Sequence, residues 1–168
     1  MKTFLYGAIC AALLSTSASA AVVDAFDLDV TDPAGTTSAV ILELGKTYEI
    51  TVSGSFLIAS PDPRIADAEY YFSSGVPTDI RPVSGEDIGV QIDGVSVDWG
   101  AYDPLHVYTT LLTGTGSAVT LSFLDIPGGY GDNAGSLQVS ISAVPLPASG
   151  LLLLGGVLAL RARRRRNV

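Results

Sequence analysis

The sequence predicts an all-β fold, an antiparallel β-sandwich, and three observations carry that expectation. Apolar residues recur with period two, and no stretch sustains the 3.6-residue period of an amphipathic helix. Eighteen glycines and nine prolines supply the turns that many short strands need. The dipeptide Asp93-Gly94 sits in the middle of "GVQIDGVSVDW" and suits a type I′ hairpin turn, because both central residues of that turn need positive φ. Together these features predict about eight or nine strands.

The N-terminus reads as an export signal over residues 1–20. Lys2 supplies a basic start, "FLYGAICAALL" an apolar helix-forming run, and "SASA" a small-residue ending, so cleavage is expected after Ala20. Cys10 lies inside this segment and is preceded by Ile9, not by the small residue that a lipoprotein signal wants. The mature chain then has no cysteine, which excludes disulfides, thiolate chemistry and cysteine zinc sites together.

Residues 21–143 are expected to form one β domain. "TYEITVSG" places Tyr48, Ile50 and Val52 on one face, with Thr47, Glu49 and Thr51 on the other. The segment Ala59 to Asp87 is proline-rich and polar. It is expected to be a long loop, with one weak strand at Glu69 to Phe72. "GVQIDGVSVDW" contributes two short strands. Trp99, in "DWGAYDP", offers an aromatic face to a sugar or belongs to the core, and the core is the preferred assignment. His106 is the chain's single histidine and stands at the start of a further strand. A structural role is expected for it. "VTLSFL" aligns Val119, Leu121 and Phe123, and "SLQVSIS" aligns Leu137, Val139 and Ile141.

Between these last two strands runs "DIPGGYGDNAGSL", longer than the two to five residues a plain hairpin needs. Asp125 sits where one strand ends, and Asp132 and Asn133 sit just before the next begins. The intervening glycines allow the backbone to bring both ends to one point, and backbone carbonyls near Gly129 can turn inward. Such oxygens suit a calcium ion, which takes six to eight hard ligands. An Asx-rich turn that satisfies only its own backbone is the alternative.

The segment "AVTLSFLDIPGGYGDNAGSLQVSIS" resembles the C-terminal hairpin of the PA-I galactophilic lectin family, calcium-dependent galactose-binding jelly-rolls. The family pattern D-x-P-G-x-Y-G-N-N-x-G-S is matched at Asp125, Pro127, Gly128, Tyr130, Gly131, Asn133, Gly135 and Ser136. Upstream, "LELGKTYEITVSGSF" resembles an earlier strand of that family, with Gly54 at the equivalent turn. The resemblance implies calcium ligands from the side chains of Asp125, Asp132 and Asn133. It also implies ligands from the carbonyl of Gly129 and from Ile58 in the loop after Gly54. Sugar hydroxyls would complete the shell. The sugar contacts would come from Asp125, Ile126, Gly129 and Asp132, with Trp99 as a candidate stacking surface. Two departures stand out. Asp132 replaces the family's first asparagine, and the segment Ala59 to Asp87 lacks the histidine and glutamine that flank the family's sugar.

Residues 144–168 read as a second address label. Val144-Pro145-Leu146-Pro147-Ala148 precedes the short apolar helix "LLLLGGVLAL" and the tail "RARRRRNV". This order resembles the VPLPA-type, PEP-CTERM-like sorting signal handled by exosortases. It implies a Gram-negative bacterium, transient inner-membrane anchoring and delivery to the cell surface or extracellular matrix. An ordinary tail anchor is the alternative, although the apolar run falls short of the roughly 20 residues a bilayer core wants.

Charge narrows the partners. The middle domain holds three basic residues (Lys46, Arg64 and Arg81) against all seventeen acids, a net charge of −14. Such a domain repels phosphate backbones, which excludes nucleic acid. No G-x-S-x-G, Walker loop, Rossmann fingerprint or H-E-x-x-H is present. No pair of carboxylates stands out for glycoside hydrolysis, and a hydrolase using carboxylates from the Ala59 to Asp87 loop is a third reading. The expected protein is therefore not an enzyme. It is a secreted calcium-dependent carbohydrate binder, or else a structural surface protein whose calcium loop only rigidifies the fold. The expected partners are carbohydrate or exopolysaccharide and an exosortase-type enzyme. The membrane, through the C-terminal segment, is a third, and a homo-oligomer is an open option.

Overall fold

The β-rich expectation holds, with three sheets among the described residues. The computed structural model describes residues 20–58, 64–73, 76–80 and 88–145. The expected signal-peptide helix and the apolar helix and arginine tail of the sorting signal lie outside these residues.

Twelve strands occur among the described residues: β1 (Ala21–Asp29), β2 (Thr36–Thr37), β3 (Thr47–Ser53), β4 (Phe56–Ile58), β5 (Arg64–Ala66), β6 (Tyr70–Ser73), β7 (Val76–Asp79), β8 (Gly89–Ile92), β9 (Val95–Ser96), β10 (Val107–Thr113), β11 (Thr120–Leu124) and β12 (Ser136–Ala143). All the pairings are antiparallel. The sheets run β1-β12-β3-β10, β2-β11-β8-β9 and β4-β5-β6-β7.

Alternation builds the core. Tyr48, Ile50 and Val52 of β3 are buried, as are Leu137, Val139 and Ile141 of β12. From the second sheet, Val90, Ile92, Leu121 and Phe123 join the same hydrophobic cluster, so the first two sheets share one sandwich core. Burying one such large apolar side chain stabilises by about 1.5–3 kcal/mol. The third sheet joins this core through Phe56, whose ring meets Phe123 edge-on at 4.8 Å. At the β8–β9 turn, Asp93 (φ 51°) and Gly94 (φ 75°) both take the positive φ that the dipeptide predicts.

Two expectations are corrected. The segment Ala59 to Asp87 is not one long loop, because β5, β6 and β7 come from it and pair in sequence. Its acids hid this, and two of them, Asp67 and Glu69, are fully buried. Asp67 Oδ1 accepts the Glu69 and Tyr70 backbone N–H groups at 3.0 and 2.8 Å. Its Oδ2 accepts the Tyr108 hydroxyl at 2.7 Å and lies 2.8 Å from His106 Nδ1. Glu69 accepts the Trp99 backbone N–H. His106, at φ 53°, packs edge-on to Phe72 at 5.1 Å. Its role is to join the third sheet to the entrance of β10.

The second correction concerns "DIPGGYGDNAGSL". β11 and β12 do not pair with each other. β11 lies between β2 and β8 in one sheet, and β12 lies between β1 and β3 in the other. The segment is a crossing from sheet to sheet, not a hairpin, and that explains its length.

Candidate functional site

The crossing starts from β11, whose last residue Leu124 is followed by Asp125. Gly128 takes the left-handed conformation (φ 86°, ψ −1°), which a side chain would resist. A 3₁₀ turn follows over Gly129–Asp132. The turn is tied back to its entry, where the Asp125 backbone N–H donates to the Tyr130 hydroxyl at 3.1 Å and the Gly129 N–H donates to the Ile126 carbonyl at 2.8 Å. On the exit side, Ala134 exchanges both backbone hydrogen bonds with Leu57 of β4, at 2.9 and 3.0 Å. That bridge draws the crossing against the third sheet.

Asp125 is only 7% exposed. Its Oδ1 accepts the Ile126 N–H at 2.7 Å. Its Oδ2 accepts the Asn133 side-chain amide at 2.8 Å. Gly129 lies directly over this carboxylate. A Cβ there would stand 2.8 Å from Cγ and from both oxygens of Asp125, closer than real Cβ atoms come. The glycine is needed for close approach.

Asn133 is equally buried. Its Nδ2 also donates to the Val30 carbonyl at 3.2 Å, while its Oδ1 is buried with no hydrogen-bond partner among the described residues. A buried acceptor left unmade costs about 1–3 kcal/mol, unless an ion or water takes it up. The orphaned amide oxygen would suit a hard cation, and the Asp125 carboxylate cradled under Gly129, 2.8 Å from the same amide's nitrogen, would add oxygen donors. Among the described residues no three His, Cys, Asp or Glu side chains gather. Only two carboxylates, those of Asp125 and Asp132, belong to this set, and amide and backbone oxygens would supply the rest.

A cleft of about 150 Å³ opens beside the crossing. Ile58, Asp125, Ile126, Gly129 and Asp132 all line it, as do Ile80, Ile88, Arg64 and Tyr71. Five residues expected to bind calcium or sugar therefore meet in one place, with Asn133 hydrogen-bonded to one of them. Ile58 lies at the end of β4, not in a loop, since Gly54 and Ser55 are the only residues between β3 and β4.

Trp99 is the exception. It is 5% exposed, and its indole N–H donates to the Val90 carbonyl at 2.9 Å. It belongs to the core and offers no face to a sugar, because Glu69 and Val90 fix it from two sides. Sequence reasoning did not single out Arg64 or Tyr71. The Arg64 guanidinium lies 5.5 Å from the centre of the Tyr71 ring. The only available signal was Arg64's status as one of three basic residues in an acidic domain.

Comparison with family models, with curated proteins and with solved structures returned no match.

Proposed function

We propose that this protein is an exported, non-catalytic, calcium-dependent carbohydrate-binding β-sandwich, sorted to the cell surface or the exopolysaccharide matrix. One observation carries the reading. Ile58, Asp125, Ile126, Gly129 and Asp132, chosen by their likeness to a calcium-dependent lectin, line one cleft, and Asn133 is hydrogen-bonded to its Asp125 wall. Asp125, Asp132, Asn133 and the Gly129 carbonyl would hold the calcium, which supplies a Lewis-acidic centre for adjacent sugar hydroxyls. Ile58 and Ile126 give the cleft apolar walls against which the C–H face of a sugar ring packs. The VPLPA-type segment from Val144 would deliver the domain through exosortase-type processing.

A second reading has its own support. The hydrogen bonds from Asn133 to Asp125 and Val30 staple the crossing without any ligand. On that reading calcium only rigidifies the loop of a structural surface protein. Glycan-array binding with and without calcium separates the two. Binding that appears with calcium and vanishes with chelator supports the lectin reading. A calcium-loaded protein that binds no glycan refutes it and leaves the structural role.

A further inference from the structure

We infer that the cleft takes an acidic sugar, a uronate, with Arg64 receiving its carboxylate; the inference rests on the lectin reading above. Arg64 lines the same cleft as Asp125 and Asp132. Its guanidinium stacks over Tyr71 at 5.5 Å, and the ion pairs among the described residues, Lys46–Glu43 and His106–Asp67, do not include it. Arg64 is exposed at the cleft, so its guanidinium is open to a ligand that enters there.

Charge balance says what that is. Two carboxylates and one calcium ion sum to zero. Among the described lining residues Arg64 is then the charge left over, and a neutral sugar does nothing for it. A uronate supplies one negative charge and two oxygens in the planar arrangement that a guanidinium meets bidentately. The stacking on Tyr71 helps to orient the guanidinium, which lowers the entropy lost on binding. Among the domain's described basic residues Arg64 is the one so placed. Lys46 is spent on Glu43, at 2.6 Å, and Arg81 lies outside the described residues. The domain's overall charge of −14 opposes an anion only weakly, since salt screens beyond about 8 Å at physiological ionic strength.

The matched pair methyl galactoside and methyl galacturonoside differs only in the group at C6. Calorimetry of the calcium-saturated protein with each sugar tests the inference. The galacturonoside should bind at least tenfold more tightly, about 1.4 kcal/mol. In Arg64→Gln that ratio should fall to near one, while calcium, titrated separately, binds no more weakly because a like charge has gone. Arg64→Lys should give an intermediate ratio, keeping the charge but losing the fork. Equal affinities in the unmodified protein, or a ratio that Arg64→Gln leaves intact, would overturn the inference and leave calcium-dependent sugar binding standing. Binding of neither sugar with calcium loaded would bring down the lectin reading, and this inference with it.

Discussion

Asn133 Nδ2 donates to Asp125 Oδ2 at 2.8 Å and so closes the sheet-to-sheet crossing at its two ends. Asp125 follows the last residue of β11 in one sheet, and Asn133 stands shortly before β12 in the other. The same carboxamide reaches the Val30 carbonyl at 3.2 Å, so one side chain joins three segments of chain.

Asn133→Ala removes both hydrogen bonds and leaves the Val30 carbonyl and Asp125 short of a donor. In chelator it should cost about 1–3 kcal/mol by urea denaturation. In saturating calcium the loss should be larger, because a ligand is lost as well. A cost that is equal in calcium and chelator would show that Asn133 is a staple only.

Gly129→Ala tests the cradle. The added Cβ meets the Asp125 carboxyl group at 2.8 Å, so the carboxylate must swing away. Overpacking of this kind costs about 1–3 kcal/mol. Calcium affinity should fall at least tenfold while the β-rich far-ultraviolet circular dichroism spectrum persists. Gly131→Ala, with nothing within 4 Å of its Cβ, is the matched control and should change calcium affinity little.

These residues show what the sequence made legible. Alternation identified the strands that pack face to face, because each buries one side, as Ile50, Val52, Leu121 and Val139 do. Asp93-Gly94 was legible because its φ requirement is local. The loop residues were legible through a motif, and the cleft gathers them. The third sheet was not. Its β5 strand is three residues long, and next to it Asp67 and Glu69 read as solvated acids. They are buried because Tyr108, His106 and Trp99, some 30 to 41 residues away, supply donors and a ring nitrogen. The crossing was misread as a hairpin for a similar reason. The partners of β12 are β1 and β3, both distant in sequence, and nothing local announces them.

Tyr108 makes stability fall in alkali. Burial, and then the hydrogen bond it donates to the Asp67 carboxylate, push the Tyr108 hydroxyl far above the ordinary phenol range. In the unfolded chain tyrosine loses its proton near pH 10, whereas the folded protein keeps it. Above that pH the folded state binds more protons, so stability declines as pH rises. The contribution is fully present below about pH 10 and is lost above it, by up to about 1.4 kcal/mol per pH unit from this group alone. Urea denaturation between about pH 8 and 11 should show a shallower alkaline decline in Tyr108→Phe, from a lower starting stability because Asp67 loses a donor. A slope unchanged by the substitution would assign the decline to other groups.

Thermal unfolding in calcium separates a metal-binding loop from a bare turn. A ligand that binds only the folded state stabilises it by about 2.7 kcal/mol at a hundredfold excess over Kd. Melting curves of the protein should therefore shift upward in millimolar calcium and much less in magnesium, which demands a smaller octahedral shell. In Asp125→Asn, which removes one charge from the ligand set, most of the calcium shift should disappear. Superimposable curves in calcium, magnesium and chelator would contradict the account.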